Sequence, residues 1–344
     1  MVVAEVVELT DQLAQDYDVV VVGGGAAGVN GALMLARARR SVVVIDAGEP
    51  RNAPAAAAHG LLGRDGISPA ELLERGREEV RGYGGEVISG EVLAVNRAAG
   101  GFRVLLADGR STRARRLLVT TGLVDELPDV PGLRERWGHD VLHCPYCHGW
   151  EVRDGAIGVL ATGPMSVHQA LLFRQWSADI AFFTRTDAPL DEQDARKLIA
   201  RGIEVVAGEV AGIEVTGDRL TGVRLADGTV VARGAVAVAS RMVARAGFLA
   251  DLGLRPQEHP SGMGEHVPAD PGGRTSVPGV WVAGNVTDLA AQVGNAAAAG
   301  ATAAGQINAD LVAEEVDRAV AGPFSPESES RICELVAGDR RHGL

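Results

Sequence analysis

Cysteine is scarce in this chain, with three among 344 residues. That is too few to staple a fold together, so two cysteines set close in sequence point to redox or metal chemistry rather than to a structural disulfide. Aromatic residues make up only 4%, which disfavours an aromatic-rich β-sandwich, whereas abundant Ala and Gly suit closely packed α/β layers. No apolar run reaches the length of a membrane span, and the small-residue stretch from Ala296 to Ala304 reads as helix packed on protein. The segment from Met1 to Asp16 is acidic and lacks the basic start of a secretion signal, so a cytoplasmic protein is expected. Lys and Arg number 33 against 45 Asp and Glu, a formal net charge of −12, and no basic cluster is dense enough to track phosphates. Nucleic acid is therefore not an expected partner.

What is present begins with a dinucleotide-binding pattern. Tyr17 to Val22 is a short β-branched run, as expected of a buried parallel strand. It enters Gly23-Gly24-Gly25-Ala26-Ala27-Gly28, a G-x-G-x-x-G turn. A helical pattern continues to about Arg39, and a second strand, Ser41 to Ile45, ends at Asp46. Gly23 suits the tight turn, Gly25 the close approach of backbone to a pyrophosphate, and Gly28 the close packing of helix on strand. The helix N-terminus faces the phosphates, and Asp46 stands where an acid accepts ribose hydroxyls. Beyond it the chain reads as a loop (Gly48 to Gly66), a helix (Pro69 to Arg81) and a strand region (Gly85 to Val95). A hairpin then runs from Phe102–Leu106 through Ala107-Asp108-Gly109 to Arg115–Thr121.

A proline-rich stretch from Leu127 to Gly132 marks a boundary, and after Cys147 the plan repeats. Ala156 to Ala161 is a strand, Ser166 to Trp176 a helix and Ile180 to Thr184 a strand. A second hairpin turns at Ala226-Asp227-Gly228, between Leu220–Leu225 and Val230–Ser240. The last third returns to the first unit, with a strand ending at Gly284-Asn285 and a helix over roughly Ala290 to Leu311. The expected fold is α/β with two Rossmann-like dinucleotide-binding domains, the second inserted in the first. The boundaries expected are 16–125 and 244–315 for the outer domain and 126–243 for the inserted one, with 316–344 a loose tail. The second copy's turn reads Ala161-Thr162-Gly163-Pro164-Met165-Ser166. Ala and Ser replace the first and third glycines and Pro164 removes a donor, so this copy is expected to hold phosphate poorly.

Between the copies stands His143-Cys144-Pro145-Tyr146-Cys147-His148-Gly149-Trp150. A C-x-x-C pair closes and opens a small disulfide ring, and the thiolate is the species that attacks. Zinc is the rival for His143, Cys144, Cys147 and His148. Structural zinc sites usually join two ligand pairs across a loop, and four ligands within six residues would strain to surround one ion, so no metal is expected. His148 is the candidate base, because imidazole titrates near neutrality; the alternative is a histidine packed beside the helix with no proton role. His143 flanks the site, Cys333 has no partner in sequence, and His59 and the remaining histidines show no pattern.

Taken together, residues 16 to 312 resemble the flavoprotein disulfide oxidoreductases with two dinucleotide domains, specifically the low-molecular-weight thioredoxin reductases. Within that group C-P-Y-C-H-G-W is most similar to the dithiol oxidases of bacterial and fungal natural-product pathways, which close disulfides in small molecules of the gliotoxin, holomycin and romidepsin type. Thioredoxin reductases usually carry Asp directly after the second cysteine, where this chain has His148. The resemblance implies FAD in the first domain. Gly23, Gly25, Ala26, Ala27, Gly28 and Asp46 match its adenosine and pyrophosphate contacts, Val92 its adenine contact, and Thr121 and Gly122 its A-T-G turn. Gly284, Asn285, Gln292 and Val293 match segments near the ribityl chain and flavin ring, although Asn285 replaces the usual Asp and Ala291 the usual Arg. Arg51 and Asn52 are further candidates.

The same resemblance implies an NADPH site with an intact glycine turn and an arginine pair; here Phe183-Thr184-Arg185-Thr186 keeps one arginine. The expected activity is an FAD-dependent dithiol oxidase, with a substrate thiolate attacking Cys144 and O2 as acceptor giving H2O2. Cys147 is, by resemblance, the cysteine nearer the flavin. A small-molecule dithiol is the expected substrate, and a homodimer is implied by resemblance only. The runner-up is an NADPH-dependent disulfide reductase. A reductase fed by ferredoxin and a flavin- or zinc-binding module without turnover are the other readings.

Overall fold

The computed structural model describes residues 13–163, 165–185, 190–321 and 325–337, and the counts and absences below refer to them. Pro164, Thr186 and the two ends, 1–12 and 338–344, lie outside this set.

β1 (Asp16–Val22) leads through the glycine turn into α1 (Ala26–Arg37), and β2 (Val42–Asp46) returns parallel to β1. α2 (Pro69–Gly82) carries its proline in the first turn, where a missing N–H does no harm, and leads to β3 (Glu86–Ser89), parallel to β2. β4 (Val92–Ala98), β5 (Gly101–Leu106) and β6 (Ser111–Val119) form an antiparallel meander whose last strand lies parallel to β1. The strand region expected over Gly85 to Val95 is therefore two strands, broken at Gly90, where a Cβ would sit 2.7 Å from a Leu106 methyl. The helix expected to reach Arg39 stops at Arg37, and Arg39 turns the chain with φ 63°.

β7 (Leu123–Glu126) leaves this sheet. Next come β8 (Val141–Leu142), α3 (Pro145–His148), β9 (Ile157–Leu160), α4 (Ser166–Phe173), β10 (Ile180–Phe183), α5 (Glu192–Ala200) and β11 (Glu204–Val206). A second meander follows: β12 (Val210–Thr216), β13 (Arg219–Leu225) and β14 (Val230–Ala232), and then β15 (Ala235–Val238). The parallel order β11-β10-β9-β15-β8 repeats the order β3-β2-β1-β6 of the first sheet. The hairpin turns repeat as well. Gly109 and Gly228 both have φ 90°, and Asp108 and Asp227 each accept the N–H two residues on, at 2.9 and 2.8 Å.

β16 (Arg241–Ala244) returns antiparallel to β7, so the two strands that cross between the sheets pair as a ribbon. β17 (Gln257–Glu258) and β18 (Gly264–His266) widen it. β19 (Val280–Val282) then lies parallel to β6, back in the first sheet, and two helices close the described chain, α6 (Val293–Val320) and α7 (Pro326–Ala337). This is the α/β architecture expected, a second dinucleotide-type unit inserted in the first.

The valines of β1 are buried on both faces of the sheet: Val20 and Val22 join one core cluster, Val19 and Val21 the other. A strand covered on both sides needs the β-branched run seen in the sequence, and each buried valine stabilises by about 1.5–3 kcal/mol. α6 lies against α1 so closely that a Cβ at Gly300 would sit 1.9 Å from the Ala27 carbonyl oxygen. That contact aims the start of α6 at the glycine turn.

The tail differs from expectation. α6 runs on to Val320 because its charged end is anchored: Glu315 pairs with Arg40 and Arg115, and Asp310 and Glu314 pair with Arg116 at 2.6 and 2.7 Å. No helix among the described residues is long and apolar enough to cross a membrane.

Candidate active site

The first turn is built from glycines that each answer a specific contact. Gly23 has φ 101°, and a Cβ on it would meet the Thr120 carbonyl oxygen at 2.6 Å. A Cβ on Gly28 would lie 1.9 Å from the Gly23 carbonyl oxygen and 2.6 Å from Thr120 Oγ1. A Cβ on Gly25 would meet no protein atom within 4 Å, because this residue faces open space at the start of α1. Gly25 is the N-cap of α1, and no side chain caps the helix or places an acid in its first turn. The leading N–H groups of α1 are thus left for an anion.

That open space is a cavity of about 1030 Å³, at the upper end of the range for ligand sites. Every nominated residue except Gly28 lines it: Gly23, Gly25, Ala26, Ala27, Asp46, Arg51, Asn52, Val92, Thr121, Gly122, Cys144, Cys147, His148, Gly284, Asn285, Gln292 and Val293. Gly28 lies behind the wall, where it lets α1 approach β1 and β6. Asp46 accepts the Gly24 N–H at 3.0 Å and a guanidinium N–H of Arg77 at 2.9 Å, so its carboxylate is aimed and partly neutralised.

Thr120, which sequence reading passed over, ties the end of β6 to the turn by donating to the carbonyls of Val22 and Gly23. Asn285 uses its amide N–H groups on the carbonyls of Asp288 and Ala291, both at 3.0 Å. An aspartate could not donate these bonds, so the departure at Asn285 has a local reason: it fixes the loop that delivers Gln292 and Val293.

Cys144 and Cys147 are free thiols at the two ends of the first turn of α3. Cys144 is the N-cap, and its thiol is held down to about 6. The main cause is the hydrogen bond from the Cys147 thiol. Burial works against it, and the N–H groups of Cys147 and Tyr146 and the Gln292 side chain add to it. Cys147 is pushed the other way by that same hydrogen bond, by burial and by the charge on Cys144, with Arg51 opposing. The reduced pair is therefore a Cys144 thiolate and a protonated Cys147. Gln169 on α4 steadies the stretch from below, donating to the His143 carbonyl at 2.6 Å.

Arg51, nominated as a cofactor contact, forms a two-pronged pair with Asp125 at 2.7 Å on each prong, and Ser240 donates to the same carboxylate at 2.6 Å. Burial would raise the Asp125 carboxyl, but Arg51 and Ser240 outweigh it and hold it below the usual range. This cluster joins the loop after β2 to both crossing strands. His143 is held below its usual range by burial first and Arg51 second, with Asp125 opposing. His148 is held below its usual range by burial; Glu151 opposes that and His59 reinforces it. His148 is thus neutral near pH 7, the state a base requires. His59 lines the same cavity, although nothing in its sequence neighbourhood marks it. Among the described residues no group of three or more His, Cys, Asp or Glu is placed to hold a metal ion.

The second turn has a different fate. Ser166 is 1% exposed, and its Oγ accepts the N–H groups of Thr162 at 3.0 Å and Gly163 at 3.1 Å. Thr162 donates its hydroxyl to the Ala239 carbonyl at 2.7 Å. Two of the turn's donors, the N–H groups of Thr162 and Gly163, are thus bound internally.

Residues 17–303 match the model of the pyridine nucleotide-disulphide oxidoreductase family. The chain is 30% identical over 320 residues to thioredoxin reductase tcpT of Claviceps purpurea (strain 20.1), covering 86% of this chain and 95% of that protein. It is 28% identical over 309 residues to thioredoxin reductase sirT of Leptosphaeria maculans, covering 85% and 93%. Among solved structures it is similar to HlmI, at 51% identity and a TM-score of 0.83 over 88% of this chain and 95% of that one. It is also similar to an oxidoreductase from Agrobacterium tumefaciens, at 35% identity and a TM-score of 0.81 over 87% and 99%.

Proposed function

We propose that this chain, which belongs to the pyridine nucleotide-disulphide oxidoreductase family, oxidises a small-molecule dithiol to a disulfide and passes the electrons to O2. Family membership makes it an FAD-binding, flavin-dependent oxidoreductase of the thioredoxin reductase-like kind. The cavity fits that cofactor: an uncapped helix N-terminus and a glycine open to the cavity would hold its pyrophosphate, and the Asp46 carboxylate would accept its ribose hydroxyls. FAD, when bound, accepts the electron pair from the cysteines and hands it to oxygen, giving H2O2.

The protein's own residues do the thiol chemistry. Neutral His148 takes the proton of the first substrate thiol. The resulting thiolate attacks Cys144 of the oxidised pair, and Cys147 departs as a thiolate and, with its raised pKa, takes up one proton. The second substrate thiol then attacks its partner sulfur and displaces Cys144. A leaving thiol of low pKa leaves faster, and Cys144, held at about 6, is suited to that last step.

The observation that carries this reading is the contrast between the turns. Ser166 takes two of the second turn's donors, whereas the cavity of the first is lined as far as Cys144, Cys147 and His148. The test is oxygen uptake with dithiothreitol as the sole reductant. The reading expects one H2O2 for each dithiol oxidised, and no uptake would overturn it. An NADPH-dependent disulfide reductase is the second reading, favoured by the relatives named thioredoxin reductase. The homodimer belongs to the proposal on the strength of the resemblance alone, and the cytoplasmic location on the sequence reading alone.

A further inference from the structure

Oxidation of a dithiol at a Cys144–Cys147 disulfide breaks one S–S bond and forms another, and two electrons pass from the substrate sulfurs to the cysteine sulfurs. Two protons leave the substrate. Cys147 retains one. Cys144 ends as a thiolate, since its pKa is held at about 6, so at pH 7 the second proton must reach solvent. His148 is its first acceptor, but His148 is half-buried, and burial disfavours its charged form. A further group is needed to take the proton on.

The structure places one beside it. His59 lines the same cavity as Cys144, Cys147 and His148. Its Nε2 lies 3.4 Å from Glu151 Oε1 and its Nδ1 3.4 Å from Asp65 Oδ1. Glu151 lies three residues past the end of α3, and its charge acts on His148, as does that of His59. Side-chain exposure rises outward along this line, from 27% at His59 to 42% at Glu151 and 71% at Asp65. The position of His59 is built rather than incidental. Ala58 bridges to Ile67 across the base of the loop, and the Gly60 N–H donates to Asp65 at 2.9 Å. The titratable groups facing His59 are Asp65 from its own loop and His148 and Glu151 from α3 and the turn after it; those facing His148 are Glu151 and His59.

We infer that His59, with Glu151, is a positioning residue for the proton released in dithiol oxidation, acting through His148 to pass it to solvent. This rests on the reading under Proposed function.

The test mixes the oxidised holoenzyme with dithiothreitol without oxygen, across a pH series, and follows proton release with an indicator dye alongside flavin absorbance. The wild type is expected to release one proton per dithiol, in step with reduction. In His59→Gln, release and reduction should both slow by about tenfold near pH 7, a modest share of what acid–base groups supply. Added imidazole should restore them, and Glu151→Gln should show a smaller loss. Alkylation of reduced Cys144 by iodoacetamide should keep its midpoint near pH 6 in both variants, which a merely structural disturbance would move. A His59→Gln protein that matches the wild type at every pH overturns this inference alone. So does a loss that imidazole does not reverse and that moves the alkylation midpoint. Failure of dithiothreitol to reduce the wild type would instead overturn the dithiol-oxidising reading, and this inference with it.

Discussion

The turns at residues 23–28 and 161–166 occupy the same place in two copies of one plan, and they differ in what holds their N–H groups. At the first, the Gly24 N–H goes to the Asp46 carboxylate, and Gly25 opens onto the cavity. At the second, the hydroxyl of Ser166 takes the N–H groups of Thr162 and Gly163. The sheets around them share the strand order, so the second unit keeps the architecture of a dinucleotide site while Ser166 occupies two of its donors. A phosphate would have to displace an internal hydrogen-bonded pair before binding there. The third glycine position is where the two copies part most clearly: Gly28 packs α1 onto the turn, whereas Ser166 puts a hydroxyl on two of the turn's N–H groups.

The comparison breaks most completely at Gly28. Gly28→Val would drive side-chain carbon into the Gly23 carbonyl, which is backbone and cannot swing away; purified protein should contain almost no flavin, whereas retained flavin would mean the turn tolerates a filled third position. Next in size is Cys147→Ser, which should keep its flavin yet lose dithiol-driven oxygen uptake by about a thousandfold or more, as expected for a residue in covalent contact with the substrate pathway.

The pH dependence of Cys144 sharpens the far end of the same cavity. Its thiol is depressed, so the thiolate exists above about pH 6 and is lost as pH falls through that value. Alkylation of the reduced protein should therefore decline below pH 6, where an ordinary cysteine has already declined below ~8.5. A midpoint above 8 would remove the leaving-group argument. The smallest effect is at the closed turn. Ser166→Ala removes the acceptor of two part-buried N–H groups and should destabilise the fold by about 0.5–1.5 kcal/mol, with flavin content unchanged. Unaltered denaturation would show that Ser166 does not hold the turn.

Local signals made much of this legible. The run into Gly23, the acid at Asp46 and the paired Ala-Asp-Gly hairpins each act within a few residues of themselves, and the structure forms them where the pattern implies. What was not legible depends on contacts across the chain. Residues past 315 read as loose because they carry charge, Pro and Gly, yet α6 runs on through them to Val320, the turn before them bound by Glu314 and Glu315 to Arg40, Arg115 and Arg116. His59 carries no motif, and it joins the site only because a loop closed at Ala58 and Ile67 delivers it there. Arg51 could be nominated for the cavity, but its partner Asp125 lies in a strand whose role as a crossing between sheets appears only in the fold. Asn285 looked like a weakened copy of an aspartate until the carbonyls it donates to were located.

The most direct test of the central claim is an anaerobic titration of the purified flavoprotein, followed at the flavin band near ~450 nm, a general property of oxidised flavins. One sample receives NADPH and the other dithiothreitol. The account predicts rapid bleaching by the dithiol, none by NADPH, and peroxide when air is admitted. Rapid bleaching by NADPH would contradict it, because the turn at residues 161–166 would then be open to a nucleotide despite Ser166.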